Sequence, residues 1–206
     1  MISDNDKTHE PGESNAPLEN FSSSVWEAIG FLLRDFFTVS KSERHAQIVI
    51  KLSEYCGSQV TLPIAPHYTD WTEVEYEFNR LFIGPMALLA PPYASVYIES
   101  EPQLMGSSTL EIRQLYHALG LSVFSENRIP DDHLSYEIEL CLLLTQQTPR
   151  QPVYHEALVW LVNGHMNRWL PLFIELVRHK AQTPLIVSVA DVLLLWFCDL
   201  QRRTSL

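Results

Sequence analysis

The stretch Asp70-Trp-Thr-Glu-Val-Glu-Tyr-Glu-Phe-Asn-Arg-Leu-Phe-Ile-Gly84-Pro85 shows in one place how this chain is built. Asp70 is a residue type that caps a helix N-terminus, and Glu73 stands three positions later, as in a capping box. Apolar side chains then recur at helical spacing, at Trp71, Val74, Phe78, Leu81 and Phe82. Gly84-Pro85 ends the pattern, because proline cannot continue a helix. The stretch therefore predicts an amphipathic helix with both of its ends encoded.

The same signals recur on both sides of this helix and predict an all-α protein. Capping boxes, or a proline in a first turn, mark further helix starts near Ser24, Ser40, Ser108, Pro152 and Pro184, and another helix follows the turn Pro130-Asp-Asp-His133. Asn163-Gly164 separates two of the helical patterns and is not flanked by strand patterns. No stretch shows a strong two-residue alternation, so we expect a single-domain helical bundle.

The sequence predicts a tail at the N-terminus and a possible hinge in the second half of the chain. Residues 1–20 are polar and rich in Pro, Asn and Ser, which predicts a flexible N-terminal tail before a helical domain at 21–206. The segment 121–131 links two helices and is a possible hinge. Exchange of the C-terminal helices through it would give a domain-swapped dimer, so we expect either a monomer or such a dimer.

The charge of the chain limits its partners. The 206 residues carry a formal net charge of −11, with a sequence pI of about 5.1. Nucleic acid is excluded as a partner because its binders need clustered Lys and Arg, whereas a cationic partner would be attracted. The three cysteines show no paired spacing, and residues 1–20 lack the basic start and apolar stretch of a secretory signal. We therefore expect a cytoplasmic protein.

The apolar run from Pro184 to Leu200 approaches the length of a membrane span. Asp191 and Asp199 interrupt it, and a charge near the centre of a bilayer is costly. The run therefore predicts a buried core helix and no stable membrane insertion.

Catalytic motifs are absent from the sequence, which indicates a protein that is not an enzyme. None of the seven glycines begins a P-loop, His155-Glu156 lacks the second histidine of a zinc-protease helix, and no GxSxG element occurs. One alternative stays open, a metal-dependent hydrolase that uses Asp132, His133 and Glu137, with Asp131 or His117 as further ligands. In the other interpretation of this cluster, Asp131 or Asp132 caps a helix and Glu137 faces solvent or a basic neighbour.

The segment from Arg80 to Tyr97 is the most distinctive part of the chain. It concentrates proline, aromatic side chains and a methionine where a regular helix cannot form. Such a loop can simply fold onto the core. As a group, however, apolar side chains on rigid proline turns suit a surface that binds a peptide, because proline lowers the entropy lost on binding.

The same residues carry a family resemblance. The run Glu73-Val-Glu-Tyr-Glu-Phe-Asn-Arg-Leu-Phe82 resembles the E-x3-E-[YF]-x2-L-F motif of the TorD/DmsD family of redox-enzyme maturation chaperones. Gly84-Pro85 and Ala90-Pro-Pro-Tyr-Ala-Ser-Val-Tyr97 resemble the family's proline segment. Pro130-Asp-Asp-His133 resembles its P-x-D-H hinge motif, about fifty residues further along the chain.

The resemblance implies an all-α cytoplasmic chaperone of the TorD type, closest to the DmsD-like subset. Its partner would be the twin-arginine signal peptide on the precursor of a molybdopterin-containing oxidoreductase, held back from export until the cofactor is loaded. An assembly factor that binds the folded catalytic subunit stays open as an alternative. No cofactor of the chain's own is implied, and the client enzyme is not identified.

The resemblance also implies which residues bind the peptide. Carried over by position, the apolar part of a groove would be lined by Phe78, Leu81, Phe82, Pro92 and Tyr93. Asp132 and His133 would form its polar end, where Asp132 pairs with an arginine of the signal peptide. Gly106, Pro130 and Met86 complete the set, and Met86 departs from the DmsD-like subset, which usually has an aromatic residue there.

Overall fold

A computed structural model describes residues 21–38, 41–57, 59–64, 70–84, 88–101, 103–123 and 129–205. Its α-helices are α1 (Ser23–Phe36), α2 (Ser42–Cys56), α3 (Trp71–Phe78), α4 (Ser95–Ile98), α5 (Ser107–Ala118), α6 (Leu134–Gln147), α7 (Pro152–Val159), α8 (Asn167–Lys180) and α9 (Pro184–Thr204). Two wider π-helical turns continue them, π1 (Asn79–Ile83) after α3 and π2 (Trp160–Met166) between α7 and α8. No strand forms within these ranges, and the predicted all-α fold is confirmed.

The core lies where α1, α6, α8 and α9 meet. α1 packs on α2, α6 and α9, and α8 packs on α9 and α4. Trp26 on α1 and Trp196 on α9 stack at 5.1 Å between ring centroids, and each indole N–H donates to the other residue's backbone carbonyl. Gly30 permits this approach, because a Cβ there would lie 2.8 Å from Leu142 and 2.9 Å from the Trp196 ring.

The apolar run at the C-terminal end of the chain forms α9. Within the described residues it is the one helix long and apolar enough to cross a membrane, but 56% of its most apolar window is buried inside the protein. Its buried residues include Leu193, Phe197 and Leu200. The helix therefore lies in the core, as the sequence predicts.

Several helix ends follow the sequence signals. Asp70 caps α3, since its carboxylate accepts hydrogen bonds from the backbone N–H groups of Thr72 and Glu73. Gly57 after α2 and Gly120 after α5 have positive φ angles of 54° and 70°, which glycine adopts without steric cost. α1 is capped by the Ser22 hydroxyl, two residues before the predicted cap Ser24.

Two predictions about helices are wrong. Asn163-Gly164 does not separate two helices, because the backbone runs through it in π2 and continues into α8. α6 is not capped by Asp131 or Asp132, since the residue at its N-cap is His133, whose Nδ1 accepts from Ser135 N–H. A histidine cap was missed because the preferred capping residues are Ser, Thr, Asp and Asn.

The predicted tail at residues 1–20 lies outside the described residues, as does the cap predicted at Ser40. Of the segment 121–131, the structure describes 121–123 and 129–131. The tail, the hinge and the exchange of helices between chains therefore stay predictions.

Candidate peptide-binding site

The three apolar residues predicted on the α3 side of the groove lie in the core. Phe78, Leu81 and Phe82 are each at most 4% exposed. The Phe78 and Phe82 rings pack edge to face at 5.0 Å, and each also contacts an aromatic ring at the end of α1. In this conformation the three side chains support the surface from beneath and offer no face to a peptide.

The π1 turn positions the proline segment that follows. The N–H of Gly84 donates to the carbonyl of Asn79 (2.8 Å), one residue further back than in an α-helix. The carbonyl of Leu81 accepts from the N–H of Ala90 (3.0 Å), which anchors the segment to the helix end. Residues 85–87 lie outside the described residues, so the role of Met86 stays a prediction.

The second glutamate of the motif has a structural role. Glu77 is 5% exposed, and its carboxylate accepts hydrogen bonds from Arg80 (2.7 and 2.9 Å) and from the N–H of Gln182 (2.5 Å). Burial alone would raise the pKa of Glu77, but these hydrogen bonds lower it overall. Arg80 also donates to the carbonyl of Lys180 (2.7 Å). The pair therefore ties α3 to the connection between α8 and α9.

The two motif segments meet in space. An isolated antiparallel bridge joins Tyr93 to His133. The Ala94 N–H donates to the Asp132 carbonyl (3.1 Å), and the Leu134 N–H donates to the Pro92 carbonyl (2.9 Å). The rings of Tyr93 and His133 contact edge to face at 4.9 Å. The fold thus brings together Pro92, Tyr93, Asp132 and His133.

Asp132 lies beneath this bridge. Its side chain is fully buried, and Oδ2 accepts a hydrogen bond from the Ser95 N–H (2.7 Å) at the start of α4. Its other oxygen, Oδ1, is buried without a hydrogen-bond partner among the described residues. A buried carboxylate oxygen without a partner is energetically costly, which marks Asp132 as unusual among the acidic residues of the protein.

His133 is buried above Asp132 and is 7% exposed. Burial lowers the pKa of His133 to about 4, so the ring is neutral at pH 7. Because Nδ1 accepts the Ser135 N–H (3.2 Å), the ring proton resides on Nε2. A neutral ring does not repel a cationic ligand.

Pro130 and Gly106 lie at the edges of this region. Pro130 is half-buried, and its carbonyl accepts from the His133 N–H (3.1 Å), which closes the turn before α6. Gly106 is buried, and a Cβ there would lie 2.5 Å from the Glu99 carboxylate. That carboxylate accepts from the Ser108 N–H (2.8 Å) and so caps α5, where the sequence predicted Ser108. Glu99 was missed because its cap reaches across nine residues.

The residues proposed as metal ligands of a hydrolase contact different partners and do not converge on one point. Asp131 pairs with Arg113, with 2.5 Å between Oδ2 and Nε. Glu137 does not face solvent but is fully buried against a basic neighbour, the second of the two expected environments, since its carboxylate contacts His165 Nε2 (2.8 Å) and also accepts from Trp169 Nε1 (3.1 Å). His117 is exposed on α5. Among the described residues no three His, Cys, Asp or Glu side chains are arranged to hold a metal ion, so the hydrolase alternative has no geometric support.

A cavity of about 240 Å³ opens beside His133, and no sequence pattern predicted it. Tyr136, one turn into α6, places its ring 6.0 Å from that of His133 and lines the cavity. The other lining residues are Tyr116, Leu121, Ser122, Val123, Glu139, Leu140 and Leu143. They come from α5, from the chain after it and from α6, so only the tertiary fold brings them together.

Comparison with known proteins finds relatives of the chain among bacterial chaperones. The family model for the nitrate reductase delta subunit matches residues 42–175. The Tat proofreading chaperone DmsD of Salmonella typhi is 28% identical over 137 residues, which cover 66% of this chain and 65% of that protein. DmsD of Salmonella typhimurium is 30% identical (59% and 60% covered), and the chaperone protein TorD of a Psychrobacter species is 28% identical (59% and 58%). The chain thus matches less than two thirds of the length of each of these relatives.

One solved structure shares the fold. It is a crystal structure of a protein from Archaeoglobus fulgidus assigned to redox enzyme maturation, with a TM-score of 0.55. The similarity covers 94% of this chain and 100% of that one at 18% sequence identity. At that level of identity, the likeness bears on the fold alone.

Proposed function

The chain belongs to the family of the nitrate reductase delta subunit and of the TorD and DmsD chaperones, and on that premise we propose that it is a chaperone for the precursor of a redox enzyme. Its ligand is the twin-arginine signal peptide of a molybdopterin-containing oxidoreductase. The chaperone holds the precursor in the cytoplasm until the cofactor is loaded. The domain that carries this function is residues 21–206.

The observation that carries the proposal is the free oxygen of Asp132. Oδ1 is buried without a hydrogen-bond partner among the described residues, directly under the bridge between Tyr93 and His133. An arginine of the signal peptide would supply the missing donors and an opposite charge, which together make a strong hydrogen bond. Because Asp132 is shielded in this conformation, binding requires the bridge to open.

The other predicted residues take supporting roles in this proposal. Pro92, Tyr93 and His133 form the movable cover, held by two backbone hydrogen bonds. Phe78, Leu81 and Phe82 fix the base of the proline segment through their packing in the core. Gly106 and Pro130 shape the flanking turns, and Met86 is assigned to the apolar part of the surface by its position alone.

The test is calorimetric titration of the protein with a synthetic twin-arginine signal peptide. Asp132→Asn removes the charge but retains the size of the side chain and an acceptor for Ser95 N–H. We expect binding about ten- to a hundredfold weaker, because a hydrogen bond to a charged group contributes about 1.5–3 kcal/mol. A matched control is Asp191→Asn on α9, which removes the same charge from a half-buried ion pair with Arg178.

Both variants must keep the helical circular dichroism signal of the parent. Unchanged affinity of a folded Asp132→Asn variant would contradict the proposal. A precursor without its signal peptide provides the second comparison. Undiminished binding of that precursor would instead favour an assembly factor that recognises the folded catalytic subunit.

A further inference from the structure

We propose that the cavity beside His133 is a second subsite, which receives one apolar side chain from the apolar stretch that follows the arginine pair of the signal peptide. This proposal rests on the proposed function and deepens it. It assigns the cavity to one part of the ligand and predicts the distance of that part from the arginines.

The cavity has the size and lining of an anchor site. Its volume of about 240 Å³ exceeds the roughly 150 Å³ of an apolar cavity that holds benzene, so one leucine or phenylalanine side chain fits. Leu140 (2% exposed) and Tyr116 (8% exposed) form the buried part of its wall. The Tyr116 hydroxyl donates to the carbonyl of Tyr136 (3.1 Å), which braces the two aromatic walls against each other.

A row of aromatic rings leads from the Tyr93–His133 bridge to the cavity. The rings of Tyr93, His133 and Tyr136 follow one another, with centroid distances of 4.9 and 6.0 Å. A ligand that displaces Tyr93 from His133 would therefore meet Tyr136 next. None of the described residues that line the cavity is cationic, and Glu139 at its rim, which pairs with Arg34 at 3.4 Å, leaves 57% of its side chain exposed. These features fit a segment whose cationic end is followed by apolar residues.

The helix geometry sets the spacing. The cavity residues of α6 are centred about seven residues beyond Asp132, which corresponds to about 11 Å along a helix axis. An extended peptide covers about 3.3 Å per residue. The apolar anchor therefore lies about three or four residues after the arginine that pairs with Asp132.

The test fills the cavity and uses a matched control. Leu143 lines the cavity on α6, and Leu143→Trp would occupy it. Leu172→Trp makes the same change at an exposed position of α8, where Leu172 is 54% exposed. With a fluorescent signal peptide, we expect Leu143→Trp to weaken binding about tenfold or more and Leu172→Trp to leave it unchanged. A peptide with asparagine at the anchor position should bind both variants and the parent about equally weakly.

The outcomes separate the two proposals. If the parent protein does not bind the signal peptide, the proposed function fails. If the parent binds and a folded Leu143→Trp variant binds equally well, the cavity is not a subsite and the proposed function stands. If Leu143→Trp weakened the binding of the parent peptide and of the asparagine peptide by the same factor, the subsite would also be overturned. The loss of affinity would then not depend on the apolar anchor side chain. Should Leu143→Trp not fold, photo-leucine at the anchor position must crosslink to Tyr136 or Leu143 of the parent, and crosslinks elsewhere would refute the assignment.

Discussion

At the scale of single residues, His133 links the stability of the fold to pH. Burial lowers its pKa from 6.5 to about 4, so between these values the unfolded chain binds a proton that the folded protein does not. Stability therefore rises with pH across this window. Acidification from pH 7 to pH 4 should cost about 3 kcal/mol through this group, at about 1.4 kcal/mol per pKa unit.

Urea denaturation of the parent and of His133→Asn at several pH values checks this prediction. Asparagine is among the preferred N-cap residues, so the variant keeps an acceptor for the Ser135 N–H and loses the titrating ring. We expect its stability to change less between pH 6.5 and pH 4 than that of the parent. Parallel curves for the two proteins would mean that another group causes the acid sensitivity.

At the scale of elements, the buried Glu137–His165 pair joins α6 to π2. Both side chains are fully buried and 2.8 Å apart, and Trp169 on α8 donates to the same carboxylate. Burial alone would lower the pKa of His165, but the Glu137 carboxylate outweighs it and raises the pKa. Removing one partner of such a pair leaves the other buried without compensation, which costs about 3–5 kcal/mol.

We therefore expect His165→Ala to lower the free energy of unfolding by about 3–5 kcal/mol, measured by chemical denaturation. His179→Ala on α8 is the matched control, because His179 is exposed, and it should change stability by less than about 0.5 kcal/mol. If both substitutions lowered the free energy of unfolding by the same small amount, the Glu137–His165 pair would not be what holds π2 against α6.

The elements also show how far the sequence could be interpreted. Asp70 and Gly57 act locally, through hydrogen bonds and φ angles within a few residues, so their signals predicted helix ends that the structure confirms. The π1 and π2 turns and the Glu99 cap follow none of these signals, since Glu99 caps α5 from nine residues away. The Glu137–His165 pair joins residues 28 positions apart in the sequence, which no local pattern relates to each other. The cavity beside His133 was not predicted either, because its lining residues come from α5, from the chain after it and from α6.

At the scale of the whole molecule, the family resemblance predicted more than any single motif. The residues that carry it, 73–133, lie within the matched range 42–175, and the fold is confirmed as all-α. What the resemblance did not encode is the conformation of the site. Phe78, Leu81 and Phe82 follow the motif but lie in the core, because the same apolar residues that mark a binding surface in sequence also satisfy the interior of a bundle.

The net charge of −11 predicts how ionic strength affects signal-peptide binding. An acidic protein attracts a cationic peptide over distances that salt screens, since the Debye length falls from about 10 Å at 0.1 M to about 3 Å at 1 M. Raising the salt concentration from 0.1 to 1 M should therefore reduce the association rate about tenfold, as measured by stopped-flow fluorescence. The dissociation rate should change less, because the apolar contacts in the cavity are not screened. A peptide with both arginines replaced by glutamine should lose most of the salt dependence, whereas an equally steep dependence for that peptide would place the attraction outside the arginine pair.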